Sequence, residues 1–275
     1  MSDALRRLAA FPLVLLALTL ALFADYPAVA QSDAGGAFPR VLKVGTFAEN
    51  RPWVFRGEGG DLTGFDVDLV RAVAARLGAS IDVTSMPFRE LFPALRAGTV
   101  DLAICSISVT PERLKTFDFT QPYYETSQGV VVMKGSRFRS LADLAGKSVG
   151  TVAGTTNEQW LRENRMRYAL GPIVSVEGLE EGLTLLQSRG VDAYFGDLPA
   201  LLYSLLKRPD LAVVERLTTD DHYAIVLARN SPLTARVDAA LAALKADGTL
   251  AAIHRRWFGA APPPGSPVTT VLPRP

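Results

Sequence analysis

Arg113 has the chemistry and the setting to grip an anion. It follows Thr110-Pro111-Glu112, which reads as a helix start with Thr110 as N-cap and Pro111 at the first helical position. A cation in the first turn opposes the helix dipole, so an arginine there points to a negative group brought from elsewhere. Upstream, an apolar run over residues 100–105 reads as a buried strand. Ser106 and Ser108 then fill the gap before the helix. A strand end, two hydroxyls, a helix N-terminus and a guanidinium together describe an anion pocket, because an arginine fork holds a carboxylate with two parallel hydrogen bonds. A salt bridge from Arg113 to a neighbouring acid, with the serines merely turning the chain, accounts for the same residues.

Two further apolar runs end in polar residues of the same kind. One is followed by Gly154-Thr155-Thr156-Asn157, and the other ends in Gly196-Asp197. A guanidinium and a carboxylate facing each other suit a zwitterion, its carboxylate at Arg113 and Thr155 and its ammonium at Asp197. Each residue also has a structural reading. Asp197 precedes a proline-started helix and could serve as its N-cap, and Thr155 and Thr156 could cap theirs.

The elements that would position these groups follow a repeated plan. Residues 41–46, 81–85 and 100–105 read as strands, separated by helices over 64–77 and around 90–96. Short connections between alternating strands and helices predict a mostly parallel sheet. A second series follows, with strands at 128–133, 147–152, 173–176 and 191–195 and an edge strand at 211–214. A strand at 223–228 then leads into two C-terminal helices. Open sheets of this kind bind ligands beyond the carboxyl ends of their strands, so the loops carrying Arg113, Thr155 and Asp197 would face one another.

Composition narrows the function. The chain has 275 residues, 48% hydrophobic and 21% charged, with a net charge of +1. That balance, without runs of Lys or Arg, argues against nucleic acid. Arg6 and Arg7, an apolar stretch over residues 8–24 and Ala28-Val29-Ala30 read as a signal peptide with Gln31 as first mature residue. An uncleaved anchor is the alternative reading. Cys105 is the sole cysteine, so no intrachain disulfide can form. His222 and His254 lack cysteine partners and suggest no metal site. Residues 31–39 read as a mobile leader, and the proline-rich residues 260–275 as a disordered tail.

Seven segments, in order, carry a resemblance. They are Gly64-Phe-Asp-Val-Asp-Leu, Phe92-Pro-Ala-Leu with Val100-Asp-Leu-Ala, Ile107-Ser-Val-Thr-Pro-Glu-Arg113, Phe117-Asp-Phe-Thr-Gln-Pro-Tyr-Tyr124, Gly154-Thr-Thr156, Asp192-Ala-Tyr-Phe-Gly-Asp197 and Trp257-Phe-Gly259. With them the chain resembles the periplasmic solute-binding proteins of the polar amino acid class, family 3, which serve ABC importers. The resemblance implies an α/β, two-lobed periplasmic binding protein fold of type II. Each lobe would be an open, mostly parallel sheet flanked by helices, with a two-segment hinge near 125–128 and 222–224. Lobe 1 would comprise residues 38–125 and 225–259, and lobe 2 residues 126–224.

For the site, the resemblance implies that Arg113 and Ser108 hold a ligand carboxylate with the Thr155 backbone, and Thr156 lies beside them. Asp197 and the Ser106 carbonyl would take an ammonium, and Phe88 would wall the side chain. Phe47 and Asn50 depart from the pattern, since many relatives carry an Asp and an aromatic there; Trp53 stands near enough to substitute. Phe47 suggests a less polar ligand side chain or packs within the lobe, while Glu49, Asn50 or Arg51 could turn inward. The expected partners are a small amino acid or related carboxylate and the importer's membrane subunits. No cofactor is expected, and the protein would act as a periplasmic monomer. Two rival readings remain: a dehydratase-type enzyme on the same scaffold, with Glu49 or Glu158 as its acid, and a sensor module.

Overall fold

The computed structural model describes residues 38–275. The expected signal peptide, its cleavage point after Ala30 and the leader up to residue 37 lie outside the described residues.

The first lobe begins with β1 (Val41–Thr46), whose carboxyl half is buried on both faces, as a strand inside a parallel sheet must be. A small antiparallel sheet follows, formed by β2 (Glu49–Asn50), β3 (Val54–Arg56) and β4 (Leu62–Thr63). The sequence reads there as loop and turn, because strands this short carry too little alternation to form a pattern. Next comes α1 (Phe65–Arg76), entered through Gly64 at φ 137°. A Cβ at that glycine would lie 2.0 Å from the Trp53 carbonyl oxygen, so only glycine allows the chain this close. The lobe continues with β5 (Ser80–Ser85), a 3₁₀ turn at Phe88–Glu90, α2 (Leu91–Ala97), β6 (Leu102–Ala103), the one-turn α3 (Pro111–Leu114) and β7 (Phe117–Phe119).

The long strand β8 (Tyr124–Met133) carries the chain into the second lobe. A 3₁₀ turn at Leu141–Leu144 starts at Ser140, whose N–H donates to Asp143 Oδ2 at 3.0 Å. After it come β9 (Val149–Val152), α4 (Thr156–Asn164), β10 (Ile173–Val176), α5 (Leu179–Gln187), β11 (Ala193–Asp197), α6 (Leu198–Leu205) and β12 (Leu211–Tyr223). The chain then rejoins the first lobe through β13 (Val226–Ala228), α7 (Thr234–Ala246) and α8 (Thr249–Phe258).

The two large sheets run β5-β1-β6-β13-β7 and β10-β9-β11-β8-β12. Within them β13 is antiparallel to both neighbours, as is β8, so each sheet is parallel but for one strand. In the first lobe α1, α7 and α8 pack together while α2 lies against β1, β6 and β13. Trp257 Nε1 donates to Asp68 Oδ2 at 2.8 Å, tying α8 to α1.

The crossing between lobes is a two-stranded ribbon. β8 and β12 pair from Met133 and Leu211 down to Tyr124 and Tyr223, with irregularities between Val213 and Glu215 and between Thr218 and Asp221. Four residues of this strand, 211–214, are apolar enough to read as an edge; the strand in fact runs 13 residues. Its continuation, Glu215 to His222, is polar because an edge strand keeps one side in water.

The tail is a correction. Residues 260–275 are packed rather than disordered: Val268 is 2% exposed, Leu272 N donates to Gln121 Oε1 at 3.1 Å, and the Thr270 carbonyl accepts from Lys245 Nζ at 3.0 Å. Proline suppresses helix and strand patterns but leaves a chain free to bury a Val against a neighbour.

Candidate functional site

The strand-end loops of both lobes open onto one cavity. Phe47 and Asn50 follow β1, Phe88 follows β5, and Ser106, Ser108 and Arg113 follow β6. From the other side come Thr155, Thr156 and Asn157 after β9 and Asp197 at the end of β11.

Arg113 owes its position to its own short helix. The Thr110 hydroxyl accepts from the Arg113 backbone N–H at 3.1 Å, which fixes the helix start. The guanidinium turns back toward the cavity, where one nitrogen donates to the Ser108 carbonyl at 2.8 Å. Its carbon stands 4.8 Å from the centre of the Phe92 ring and 5.7 Å from that of Phe88. Burial lowers its pKa to about 10, against the pull of Asp221 and Asp197. No carboxylate of the described residues forms a salt bridge with it, which disposes of the simple ion-pair reading.

Asp197 stands at the N-cap of α6 yet makes no side-chain capping bond. Its Oδ1 instead accepts from Asn157 Nδ2 at 2.9 Å. Burial raises its pKa, while Asn157 and the charge of Arg113 act the other way. Thr155 does cap: its hydroxyl accepts from Glu158 N at 3.2 Å and donates to the Val152 carbonyl at 2.7 Å. That leaves its backbone N–H, at the N-cap of α4, without an intrahelical acceptor.

Ser106 is held in a strained conformation, with φ at 44°. Two contacts hold it: its N–H donates to Asp66 Oδ2 at 2.7 Å, and its Oγ accepts from Asn50 Nδ2 at 2.8 Å. Asp66 is fully buried, and burial raises its pKa to about 7 against the Ser106 hydrogen bond. Nearby Cys105 is inert, its thiol pushed up to about 12 by burial.

The lobes touch around the cavity. Ser108 Oγ lies 3.3 Å from Thr156 Oγ1, and Arg89 of the first lobe pairs with Glu177 of the second. This is a closed arrangement.

Trp53 is a further correction. Its ring is 0% exposed and lies outside the cavity, packed edge-on against Phe65, Tyr124 and Tyr223 at the base of the hinge ribbon. A large aromatic beside buried ribbon residues lowers the free energy most by joining them. Glu158 is also unsuited to be a general acid. Burial raises its pKa, but hydrogen bonds from Ser175, Arg162 and Gly154 outweigh it and leave the carboxyl below its usual range.

The sequence places Asn157 in the strand-end loop without giving it a role, and gives no role to Asp66 or Asp221. Asn157 adjoins the two threonines, and its contact with Asp197 gives it a role; Asp66 falls on the apolar face of α1, a visible anomaly. Asp221 gives no signal within Thr-Thr-Asp-Asp-His. In the structure its Oδ2 accepts from Ser108 Oγ at 3.1 Å, and burial, then the charge of Asp197, raise its pKa to about 6. Among the described residues no group of three or more His, Cys, Asp or Glu could hold a metal, and no helix is long and apolar enough to cross a membrane.

A family model described as bacterial extracellular solute-binding proteins, family 3, matches residues 42–260. The chain belongs to this family. It is a two-lobed extracytoplasmic binding protein, not an enzyme. Among relatives of this solute-binding protein, ABC transporter arginine-binding protein 1 of Escherichia coli (strain K12) is 31% identical over 230 residues, covering 82% of this chain and 93% of its own. The L-cystine-binding protein TcyJ of the same organism is 31% identical over 226 residues, covering 80% and 83%. Among solved structures, an ancestral arginine-binding protein bound to arginine is similar with a TM-score of 0.77 and 35% identity, covering 80% of this chain and 99% of that one.

Proposed function

We propose that this solute-binding protein captures an α-amino acid in the interlobe cavity and presents it to the membrane subunits of an ABC importer. Arg113, with the Thr155 N–H and Ser108, holds the α-carboxylate, while Asp197 and the Ser106 carbonyl receive the α-ammonium. Thr156 and Asn157 complete the second lobe's side, and Phe47, Asn50 and Phe88 border the ligand side chain. The observation that carries this reading is a half-buried guanidinium and a half-buried carboxylate, from different lobes, on the wall of one cavity. Relatives named for arginine and for L-cystine support amino acids as the class and place both first among ligands to try.

The ligand binds an open form, and rotation about the β8–β12 ribbon buries it, so binding shifts an open–closed population. The importer reads the closed face. The protein is exported by a signal peptide cleaved between Ala30 and Gln31, and works as a periplasmic monomer. Lobe 1 (38–125 and 225–259) and lobe 2 (126–224) move as the two bodies.

Thermal shift and calorimetry with the twenty amino acids test this reading, since a ligand that binds only the folded state raises its melting temperature. At least one should bind, and Arg113→Ala should abolish the shift. A panel without a hit, or a shift untouched by Arg113→Ala, would overturn the assignment.

A further inference from the structure

Three charged side chains stand on the cavity wall, and an α-amino and α-carboxyl group account for only two of them. Arg113 is the cation; Asp197 and Glu49 are the anions. The wall therefore carries one negative charge in excess when all three are ionised. Glu49 lies on β2, where the cavity meets a second, more open one reaching Phe55 and Met86. Its carboxylate forms no hydrogen bond or ion pair among the described residues. The charged residues that share the second cavity with it are engaged elsewhere: Glu177 pairs with Arg89, Glu180 with Arg208, the Arg56 guanidinium donates to the Gly60 carbonyl at 3.0 Å, and the Arg51 guanidinium sits 3.8 Å from the centre of the Phe55 ring.

The spacing of the aromatic walls fits a stem between the two ends. Phe88 borders the Arg113 guanidinium, whereas Phe47 borders Glu49. A Cβ placed on Gly178 of the second lobe would be 2.6 Å from Glu49 Oε2 and 3.3 Å from Phe47 Cζ. The glycine thus leaves room where carboxylate, ring and facing lobe converge.

Resting on the α-amino-acid reading, the geometry points to Glu49 as the residue that selects the ligand by the charge at the far end of its side chain. The favoured ligands are linear amino acids with a cationic terminus, guanidinium or ammonium, whose apolar stem passes Phe88 and Phe47. A cationic terminus at Glu49 balances the wall. A neutral one strips water from the carboxylate with nothing in return. The competing role for Glu49 is purely structural: an acid near Gly178, the N-cap of α5, could favour closure through the helix dipole. The two roles differ in their readout.

Calorimetry on the exported chain, wild type and Glu49→Gln, is done with L-arginine, L-lysine, L-glutamine and L-citrulline, the neutral near-isostere of arginine. The expected wild-type result is arginine or lysine binding at least about tenfold tighter than citrulline, with the ratio falling close to one in Glu49→Gln. Glu49 is exposed on a two-residue strand, so the variant should keep its melting temperature. Equal wild-type affinity for citrulline and arginine overturns the inference and leaves the amino-acid reading standing. So does Glu49→Gln weakening every ligand by the same factor, which is the result of a closure role. Absence of binding by any amino acid overturns both.

Discussion

The hydroxyls of Ser108 and Thr156 meet 3.3 Å apart, one from each lobe, beside the cavity. That contact joins the two lobes in this closed arrangement. Ser108 also donates to Asp221 on the hinge ribbon, so one side chain links the cavity wall, the opposite lobe and the crossing strand. Thr156→Val keeps the shape of the side chain and removes the interlobe hydrogen bond. Its loss should cost the closed state about 0.5–1.5 kcal/mol. Amino-acid affinity should fall by the matching factor, and small-angle scattering of the ligand-free protein should show a larger radius of gyration. An unchanged dissociation constant would mean that the contact contributes nothing to closure.

Arg113→Ala should have a far larger effect, about 2–5 kcal/mol of binding free energy, because it leaves one member of a desolvated charge pair alone. The loss should be common to all amino-acid ligands, since every one of them presents the same carboxylate. Calorimetry with two ligands of different side chain checks this; a loss confined to one would place Arg113 at the side chain instead.

How much of this was legible in the sequence follows from local chemistry. Arg113, Ser108 and Thr155 lie beside strand ends and helix starts, whose signals are local and strong. Thr110 does cap the helix before Arg113 as its spacing predicts. Trp53 was misplaced because an aromatic near the cleft loops looks the same from sequence whether it turns toward ligand or core; here the ribbon residues Tyr124 and Tyr223 claim it. Asp221 could not be found, since its place depends on how β8 and β12 pair, a long-range register that no local pattern encodes. The tail was misread for a related reason: its contacts with Lys245 and Gln121 are tertiary, and proline content alone says nothing of them.

Stability should depend on Asp66 in a definite direction. Its carboxyl is raised to about 7 in the folded protein, whereas an unfolded aspartate titrates at about 3.9. Between those values the folded state retains a proton that the unfolded chain has lost, so this group's contribution falls as pH rises through the window. Asp66→Asn retains an acceptor for the Ser106 N–H and cannot ionise. The variant should therefore gain melting temperature relative to wild type steadily from about pH 4 to about pH 7, then level off. Asp221, raised to about 6, adds a slope of the same sign in both proteins and cancels from the difference. Parallel melting curves across the window would show that Asp66 is ionised throughout.

The packed tail makes a prediction about stability without one about binding. Lys245 is buried, and burial lowers its pKa to about 8; its Nζ donates to Gln121 Oε1, the Pro122 carbonyl and the Thr270 carbonyl. Deleting residues 262–275 removes the last of these acceptors and uncovers the surface against which Val268 is buried. A fully buried valine contributes about 1.5–3 kcal/mol. For a chain of this size that amounts to a fall in melting temperature of about 3–12 °C. None of the deleted residues lines the cavity, so the dissociation constant for an amino-acid ligand should stay within about twofold, the scatter expected of distant, independent sites. A truncated protein that melts like the intact one would mean that the tail contributes no net stability. One that melts lower and also binds more weakly would mean that Gln121 and Pro122, just ahead of the Tyr124 crossing, transmit the tail's contacts to the hinge.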